Sequence, residues 1–280
     1  MIRITETARD AMQGIKQMIP TSLKVSYVNE LLNVGFDTVD CGSFVSPRLI
    51  PQMADSSEVI KSLKLPERMP ELMVLVVNTR GVDLALQTGR INCLSYPFSV
   101  SPTFLKRNLN TDESGSLNMI REMIHATKNH PIEWVVYLSM ALGNPYGDVW
   151  NPEIVMEGAA KLYDLGVRRM PLSDILGNAT PTVIYDVYKQ LIPAFPEADF
   201  GIHLHTKVSE SYEKLEAAWE AGVRSYETVV NGQGGCPTAA DEMVGNLSTQ
   251  DLLAFCSKKG IVTGIDPSAI SQAAALALEF

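Results

Sequence analysis

The sequence predicts a single-domain α/β protein over residues 1–280, with the fold of a (β/α)8 barrel. Four helix-like segments end in a glycine and lead at once into a short β-rich run, and these glycines are Gly35, Gly89, Gly166 and Gly222. Glycine is common just past a helix end because it adopts positive φ without strain. The second observation is the alternation of eight strand-like with eight helix-like runs. A doubly wound open sheet is the structural alternative.

The predicted strands and helices follow each other in chain order. The strands cover residues 2–6, 36–41, 72–77, 91–96, 134–139, 168–173, 199–205 and 225–230. The helices cover residues 21–34, 54–63, 82–88, 113–128, 152–165, 181–194, 209–221 and 248–258. In such a barrel the active site lies at the carboxyl ends of the strands. Polar residues just after each strand should therefore form one coherent chemical set.

Composition argues against several classes of function. The 23 Lys and Arg residues are scattered among 32 Asp and Glu residues, for a net charge of −9, which disfavours a nucleic-acid partner. No apolar run approaches the roughly 18 to 20 residues of a membrane span. The N-terminus lacks an apolar signal core, and the four cysteines show no CxxC spacing. We therefore expect reduced cysteines and a cytoplasmic location.

The strand-like run DFGIHLH contains two of the four histidines in the chain. His203 and His205 share one face, because side chains at i and i+2 of a strand point to the same side. Two adjacent imidazoles suit a metal ion, although a pair of hydrogen-bonded core histidines fits the isolated pattern equally well. The neighbouring strand ends have to decide between these two interpretations.

Asp10 follows the first predicted strand, and Asn246 lies beyond the eighth. With His203 and His205 they supply two oxygens and two nitrogens. Such a set suits an octahedral divalent cation, Mg²⁺ or Mn²⁺ in preference, with positions left open for substrate or water. The ligand types alone leave zinc as an alternative.

Other strand ends carry candidate catalytic groups. Arg9 is adjacent to Asp10 and is placed to stabilise an oxyanion. Asp40 and Asp174, at the second and sixth strand ends, are candidate bases or carboxylates that support the metal ligands, with ordinary capping or ion pairing as the alternative. The glycine-rich GQGGCP makes Cys236 a candidate proton donor, against an inert thiol in a tight turn.

At these residues the sequence resembles the 3-hydroxy-3-methylglutaryl-CoA lyase family, within the metal-dependent aldolase-like barrels. RDAMQG is similar to the family's RDGLQ segment, and SFVSPRLIPQM is similar to its second-strand loop, the most family-specific stretch. The segments ALGNPY, IHLH, GQGGCP and GNLSTQDL follow in the family's order and spacing. The resemblance covers nearly the whole chain.

This resemblance implies a reaction. A metal binds the substrate's carboxylate and tertiary hydroxyl, a base removes the hydroxyl proton, and the C–C bond breaks to give acetoacetate and the enolate of acetyl-CoA. The positions that match the family's metal ligands are Asp10, His203, His205 and Asn246. Arg9 matches the arginine that steadies the enolate oxygen, Asp174 a catalytic-site carboxylate, and Cys236 the cysteine proposed as an acid.

The resemblance also implies an acyl-CoA partner and a homodimer. Gln13 and Arg48 are the candidate substrate or CoA contacts, Arg48 because it lies within SFVSPRLIPQM. Other basic residues of predicted loops are Lys16, Arg80, Lys106 and Arg107, which fit solvated surface charges better. We expect the apolar C-terminal run ISQAAALALEF to cover a barrel face or a subunit interface. Leucine catabolism is one metabolic context, and branched-acid or polyketide-like metabolism is another.

Several positions depart from the family pattern. Asp40 stands where glutamate is usual, and Thr5 replaces an acidic residue. Ala11 and Ser173 each stand where the family has glycine, and Met140 stands where cysteine is common. Thr206 and Lys207 follow the histidine pair in place of Asp-Thr, and Thr206 either alters the metal's surroundings or caps the next helix. Two alternatives stay open: a related aldolase or lyase acting on another acyl-CoA or 2-oxo acid, and a barrel that binds metal and ligand without turnover.

Overall fold

The computed structural model describes residues 2–234 and 244–280, and Cys236 lies outside these described residues. Nine strands form one sheet, and all pairs among them are parallel. The strands are β1 Arg3–Glu6, β2 Thr38–Ser43, β3 Glu71–Leu75, β4 Cys93–Tyr96, β5 Glu133–Val136, β6 Leu138–Ser139, β7 Leu172–Asp174, β8 Ile202–Leu204 and β9 Ser225–Thr228.

The sheet closes on itself because β5 and β6 are two halves of one strand, interrupted only at Tyr137. β5 pairs with β4 and β6 pairs with β7, so this strand joins the two ends of the order β5-β4-β3-β2-β1-β9-β8-β7-β6. A bridge between Val135 and Arg169 extends the same seam. The predicted (β/α)8 barrel is confirmed, and its closure rules out the doubly wound open sheet.

Helices surround the barrel, and the eight predicted ones lie within a few residues of their expected bounds. The helices are α1 Ala8–Gln13, α2 Thr21–Leu31, α3 Ser56–Ser62, α4 Thr79–Leu86, α5 Pro102–Phe104, α6 Glu113–Thr127, α7 Pro152–Asp164, α8 Pro181–Ala194, α9 Val208–Ala221, α10 Thr249–Lys259 and α11 Pro267–Ala277. Side chains that accept a backbone N–H fix the starts of several, among them Asn78, Asp112, Asn151, Thr180 and Ser248. None of these helices is long and apolar enough to cross a membrane.

Three elements were not predicted: α1, α5 with the turn of π-helix that follows it over Leu105–Leu109, and α11. α11 packs against α2. It also receives hydrogen bonds from the turn after β9, because Asn231 Nδ2 donates to the Ala274 carbonyl at 2.9 Å and Gln233 Nε2 to the Ala277 carbonyl at 2.8 Å. The apolar C-terminal run therefore covers a face of its own barrel.

A charged layer fills the amino end of the barrel interior. Arg169 Nη1 lies 2.7 Å from Glu71 Oε2, and Arg3 Nη1 lies 3.2 Å from the same oxygen. The Thr38 hydroxyl donates to this oxygen at 2.7 Å. These contacts join β1, β2, β3 and the entry to β7 at the end of the barrel opposite the predicted site.

Glu6 ends β1 with a fully buried carboxyl that faces the surrounding helices. The Val230 amide donates to its two oxygens at 3.1 and 3.2 Å, and the Thr249 hydroxyl donates to Oε2 at 3.2 Å. Burial raises the pKa of Glu6 from 4.5 to about 8, while these hydrogen bonds oppose the shift. Glu6 thereby anchors the turn that follows β9.

Replacement of Glu6 by glutamine is expected to change how stability depends on pH. The folded pKa lies above the unfolded one, so the folded state binds more protons between pH 4.5 and about 8. The contribution of Glu6 to the free energy of unfolding therefore falls as pH rises through that window, by an amount on the order of a few kcal/mol. Denaturant unfolding of wild type, Glu6→Gln and the exposed-residue control Glu133→Gln across this range measures it. Identical pH slopes for all three proteins would contradict the raised pKa.

Candidate functional site

Arg9, Asp10 and Gln13 are brought to the carboxyl end of the barrel by α1, which begins directly after β1. The Thr7 amide donates to the Thr228 carbonyl at 2.8 Å and ties the start of this helix to β9. Arg9 Nη1 donates to Asp10 Oδ1 and to Gln13 Oε1, both at 3.1 Å, and Gln13 Nε2 donates to Asp10 Oδ1 at 2.6 Å. The three side chains therefore form one fixed group.

Arg9 forms an ion pair with Asp40 of β2. Its Nε and Nη2 nitrogens lie 2.9 and 2.7 Å from the same oxygen, Asp40 Oδ2. Burial alone would lower the pKa of Arg9, but the carboxylates of Asp40 and Asp10 outweigh it and raise this pKa. The guanidinium is therefore a permanent positive charge at a defined place.

His203 and His205 lie on β8 and just after it, and each uses Nδ1 on an acceptor. Glu227 of β9 is the cross-strand neighbour of His203, and its Oε2 lies 2.9 Å from His203 Nδ1. The Val244 carbonyl lies 3.1 Å from His205 Nδ1. Because both partners only accept, Nδ1 carries the hydrogen in each ring, and Nε2 is the nitrogen left to bind a metal.

Asn246 reaches the histidines because the segment that contains it returns to the end of β8. Asn246 forms an antiparallel bridge with His205, the Thr206 amide donates to the Gly245 carbonyl at 2.9 Å, and the Leu247 amide donates to the Leu204 carbonyl at 2.8 Å. The Asn246 Nδ2 group donates to Asp10 Oδ2 at 3.1 Å and to the Gln233 carbonyl at 3.0 Å. This leaves Oδ1 as the oxygen that Asn246 offers to a cation.

The four predicted metal ligands are thus brought together. One ligating atom each from Asp10, His203 and His205 lies within 4.8 Å of the others, and His205 Nε2 is 4.0 Å from Asp10 Oδ2. The Asn246 amide lies beside Asp10, with its Nδ2 group on Asp10 Oδ2. Two oxygen-bearing and two imidazole side chains gathered in this way fit a divalent cation.

The charges of the cluster suit ligation at neutral pH. Burial acts to raise the pKa of Asp10, but Arg9 and the two histidines outweigh it, so this pKa lies below its usual range. Burial and the neighbouring His203 lower the pKa of His205 to about 4. Asp10 is therefore ionised and His205 is neutral, and these are the forms that bind metal. Burial acts to lower the pKa of His203, but its hydrogen bond to Glu227 outweighs it and raises this pKa, so a metal that binds His203 would displace a proton.

Asp40, within β2, and Asp174, the last residue of β7, are both buried, but their contacts differ. Burial raises the pKa of Asp40 to about 6 against the opposing effect of Arg9, and its Oδ1 has no hydrogen-bond partner among the described residues. Asp174 accepts from the backbone amides of the β7–α8 loop, with contacts of 3.2, 3.0 and 2.8 Å to Leu176, Gly177 and Ala179. Asp174 therefore holds that loop, and the structure does not bring it to the metal-ligand cluster.

A cavity of about 400 Å³ opens over the cluster. Arg9, Asp10, Gln13, His203 and His205 form part of its polar lining. Its apolar lining includes Val45, Leu49, Ile50, Val77, Phe104 and Ile175. Arg48 is exposed and does not line this cavity, although its neighbour Leu49 does. Arg107 does line it, with its guanidinium 5.0 Å from the centre of the Tyr146 ring.

Two residues of this region were missed from the sequence, Glu227 and Tyr137. Both lie inside predicted strands, and neither follows a strand end or belongs to a recognisable pair such as His203 and His205. Tyr137 lines the cavity, and its ring meets that of His203 edge-on with 6.0 Å between the centres. The sequence signal for both residues is the alternation of side chains along a strand. A polar side chain in mid-strand that alternates with core residues points into the barrel.

Gly234 shows how closely the chain packs around the metal ligands. It has a φ of +82°, and a Cβ atom there would lie 2.9 Å from the Ala11 Cα, 3.0 Å from the Asp10 carbonyl oxygen and 3.1 Å from Asn246 Nδ2. Only glycine fits this position without moving backbone. The chain entering the segment that contains Cys236 thus passes directly against two of the ligands.

The residues that depart from the family pattern lie in different parts of the site. Ser173 lines the cavity, whereas Thr5 lies deeper in the barrel and Ala11 is buried under Gly234. Thr206 does not cap the following helix, because Lys207 is the N-cap residue of α9 and no side chain accepts there. The Thr206 hydroxyl instead donates to the Lys207 carbonyl at 3.2 Å, and Lys207 is exposed outside the cavity.

Glu227→Gln is expected to weaken divalent-metal binding by about 10- to 100-fold. The change removes a negative charge. In the wild type that charge holds the Nδ1–H group of His203 and makes Nε2 a stronger metal ligand. Calorimetric titration with Mn²⁺ at pH 7 measures the dissociation constant. Glu71→Gln is the matched control, since it removes an ionised strand carboxylate at the opposite end of the barrel. A wild-type dissociation constant for Glu227→Gln would contradict this role.

The comparisons with known proteins agree with one another. The HMGL-like family model matches residues 2–277. The 3-hydroxy-3-methylglutaryl-CoA lyase, cytoplasmic, of Rattus norvegicus is 30% identical over 275 residues, which cover 97% of this chain and 79% of that protein. The hydroxymethylglutaryl-CoA lyase, mitochondrial, of Bos taurus is 31% identical over 277 residues, which cover 98% and 84%.

Solved structures give the same result. The HMG-CoA lyase of Brucella melitensis superposes with a TM-score of 0.93 at 27% identity, covering 99% of this chain and 98% of that one. An HMG-CoA lyase of Acinetobacter baumannii, in complex with coenzyme A and 3-methylmalate, has a TM-score of 0.90 at 26% identity, covering 99% and 91%. The chain therefore belongs to the HMGL-like family and is a carbon–carbon lyase of the hydroxymethylglutaryl-CoA lyase type.

Proposed function

We propose that this protein is a metal-dependent lyase that splits 3-hydroxy-3-methylglutaryl-CoA into acetoacetate and acetyl-CoA. The observation that carries the proposal is the meeting of Asp10, His203 and His205 on one cavity beside the Arg9 guanidinium, with Asn246 bonded to Asp10 next to them. The similar Acinetobacter baumannii lyase holds coenzyme A and 3-methylmalate, a hydroxy acid with carboxylates, which supports an acyl-CoA substrate of this kind.

Asp10, His203, His205 and Asn246 would hold a divalent cation, Mg²⁺ or Mn²⁺ in preference to Zn²⁺, because two of the four ligands are hard oxygens. The bound cation would supply positive charge to the carboxylate and hydroxyl oxygens of the substrate. The Nδ1 partners of the two histidines keep their Nε2 atoms aimed at this position before any ligand arrives.

Arg9 supplies a second, fixed positive charge. Because Asp40 binds its Nε and Nη2 nitrogens, only the Nη1 side is directed at the cavity wall, beside Asp10 and Gln13. The enolate oxygen of the acetyl-CoA half would lie against this charge as the C–C bond breaks. A charge that is already in place costs no rearrangement during the reaction.

Asp40 is the better candidate for the base that removes the hydroxyl proton. Its pKa of about 6 keeps it ionised at neutral pH, and Oδ1 is unpaired among the described residues, whereas both oxygens of Asp174 receive backbone amides. Asp40 lies beneath Arg9 rather than on the cavity wall, so the role requires the substrate hydroxyl to approach past the guanidinium. Asp174 would act by holding the β7–α8 loop.

The predicted contacts to the acyl carrier and substrate, the location and the oligomeric state also depend on this function. Arg107 is a stronger candidate than Arg48 for an anionic group of the acyl carrier, because it lines the cavity. Gln13 would contact the substrate from the polar lining. The relatives include both cytoplasmic and mitochondrial enzymes, so a cytoplasmic location stays a prediction, as do the homodimer and a place in leucine catabolism.

The test of the proposal is acetoacetate release from 3-hydroxy-3-methylglutaryl-CoA. We expect release by wild-type protein with Mg²⁺ or Mn²⁺, and none with EDTA or with His205→Ala, which should lose metal and activity together. If wild type binds metal but releases nothing, the substrate assignment is wrong, and a panel of other acyl-CoA and 2-oxo acids decides between a related lyase and a barrel without turnover.

Cys236 is proposed as the acid that protonates the enolate of acetyl-CoA. Support comes from the chain on both sides, since Gly234 packs against Asp10, and Asn246 donates a hydrogen bond to Asp10. We expect Cys236→Ala to keep wild-type metal affinity but to lower kcat by about 10²- to 10⁴-fold, the range for a lost general acid. Cys256→Ala, which removes a buried helix cysteine, is the control. Full turnover by Cys236→Ala would discard the role.

A further inference from the structure

A short helical segment after β4 forms part of the cavity lining. It consists of α5 and the turn of π-helix that follows, and it is called the 102–109 segment below. Phe104, Arg107, Asn108 and Leu109 of this segment all line the cavity. A turn of π-helix is rare in proteins and is frequent at functional sites. The contacts that hold this segment therefore decide which groups face the cavity.

Asp148, on the loop after β6, holds the start of the 102–109 segment with both carboxylate oxygens. The Ser101 hydroxyl donates to Oδ2, and the Thr103 amide donates to the same oxygen at 3.1 Å. The Thr103 hydroxyl donates to Oδ1 at 2.8 Å. Ser101 Oγ in turn accepts from the Phe104 amide at 3.1 Å. Asp148 therefore fixes the N-terminus of a segment that belongs to the loop of a different strand.

The loop after β6 also supports the segment at Arg107. Tyr146 lies under the Arg107 guanidinium, whose Cζ atom is 5.0 Å from the ring centre. Asn144 Oδ1 accepts from the Tyr146 amide at 3.0 Å and from the Asp148 amide at 3.2 Å, and Asn144 Nδ2 donates to the Asp148 carbonyl at 3.1 Å. Tyr146 and Asp148 are thus held in one folded loop, which contacts the 102–109 segment at its start and at Arg107.

This arrangement prepares Arg107 for an anionic ligand. An exposed arginine loses rotamer freedom when it binds, and this loss opposes binding. The ring of Tyr146 and the anchored backbone of the 102–109 segment limit that loss before a ligand arrives. The hydrogen bond from Ser101 lowers the pKa of Asp148 against the opposing effect of burial, so the anchoring carboxylate is ionised at neutral pH.

We propose that Asp148 is a positioning residue for the acyl-CoA substrate, and that it holds the 102–109 segment so that Arg107 binds a phosphate group of the carrier. The assignment rests on the proposed acyl-CoA substrate. Asp148 is not among the described residues that line the cavity, so it acts through Arg107. As a bare negative charge near Arg107 it would have the opposite effect, because it would repel a phosphate. The two roles therefore predict changes of opposite sign.

Calorimetric titration with free coenzyme A and with pantetheine, which lacks its phosphates, tests the assignment without turnover. We expect Asp148→Ala to bind coenzyme A about 10-fold more weakly than wild type does, the effect of about one hydrogen bond to a charged group, and pantetheine equally well. Arg107→Ala should show the same selective loss. In the double variant the two losses should not add, because Asp148 acts through Arg107. With 3-hydroxy-3-methylglutaryl-CoA, KM should rise by a similar factor with little change in kcat.

Two further variants exclude a general loss of structure or a simple charge effect. Thr103→Val removes one bond to Asp148 with little change in shape, and it should weaken binding of coenzyme A in the same direction but less. Asp112→Ala removes another loop carboxylate, which caps α6 by accepting from the Gly115 amide at 2.8 Å, and it should bind coenzyme A no more weakly than wild type does. All variants should bind Mn²⁺ with the wild-type affinity.

Several outcomes overturn the assignment. The first is tighter or unchanged binding of coenzyme A by Asp148→Ala. Equal weakening for coenzyme A and pantetheine, or losses that add in the double variant, would make Asp148 a general structural residue. If Asp148→Ala does not fold, wild-type affinity in Thr103→Val overturns the assignment. Failure of wild type to bind coenzyme A would overturn it together with the acyl-CoA substrate, whereas binding of coenzyme A without turnover would overturn only the proposed lyase function.

Discussion

The buried ion pair between Arg9 and Asp40 is the contact on which the rest of the site depends. α1 has six residues, too few to be stable as an isolated helix, so its position is set by tertiary contacts. Two nitrogens of Arg9 on one oxygen of Asp40 fix this helix over β2, and Asp10 is the next residue along it. Removal of Arg9 would leave the Asp40 carboxylate as an unpaired buried charge, at a cost of about 3–5 kcal/mol. The candidate metal ligand Asp10 is therefore positioned by an ion pair between two other residues.

The remaining ligands are oriented from separate parts of the chain. β9 contributes Glu227 to His203, and the returning chain contributes the Val244 carbonyl to His205. Asn246 is bonded to the Gln233 carbonyl, and Gln233 is itself bonded to the last turn of α11. The cluster thus depends on barrel closure and on the docking of the C-terminal helix, which no single local segment encodes.

The difference between features set by local sequence and features set by tertiary contacts explains what could be predicted from the sequence. Strands and helices alternate with clear glycine stops, and the candidate metal ligands either lie beyond a strand or form the paired histidines of one strand, so both were accessible to pattern and geometry. Glu227 and Tyr137 were missed because they lie within strands, where only the parity of the strand distinguishes a cavity residue from a core one. α1 and α11 were missed because tertiary contacts, rather than helical periodicity, hold them. The side-chain contacts of Asp174 and Thr206 depend on loop paths that the sequence did not specify.

Burial by itself does not distinguish a reactive carboxylate from a structural one. Asp40 and Asp174 both lie on strands, Asp40 within β2 and Asp174 at the end of β7, and burial raises the pKa of each. Asp174 accepts backbone amides on both oxygens, so its bonds fix a loop. Asp40 is satisfied by a charged partner on one oxygen only.

The residues that depart from the family pattern can also be compared by whether they face the cavity. Thr5, Ala11, Met140 and Thr206 do not line the cavity among the described residues, and Ser173 does. Asp40 is one methylene shorter than glutamate but still holds Arg9 through two contacts below 3 Å. The substitutions therefore change the packing that supports the site more than the groups that face the substrate, which favours the family's reaction over a different one.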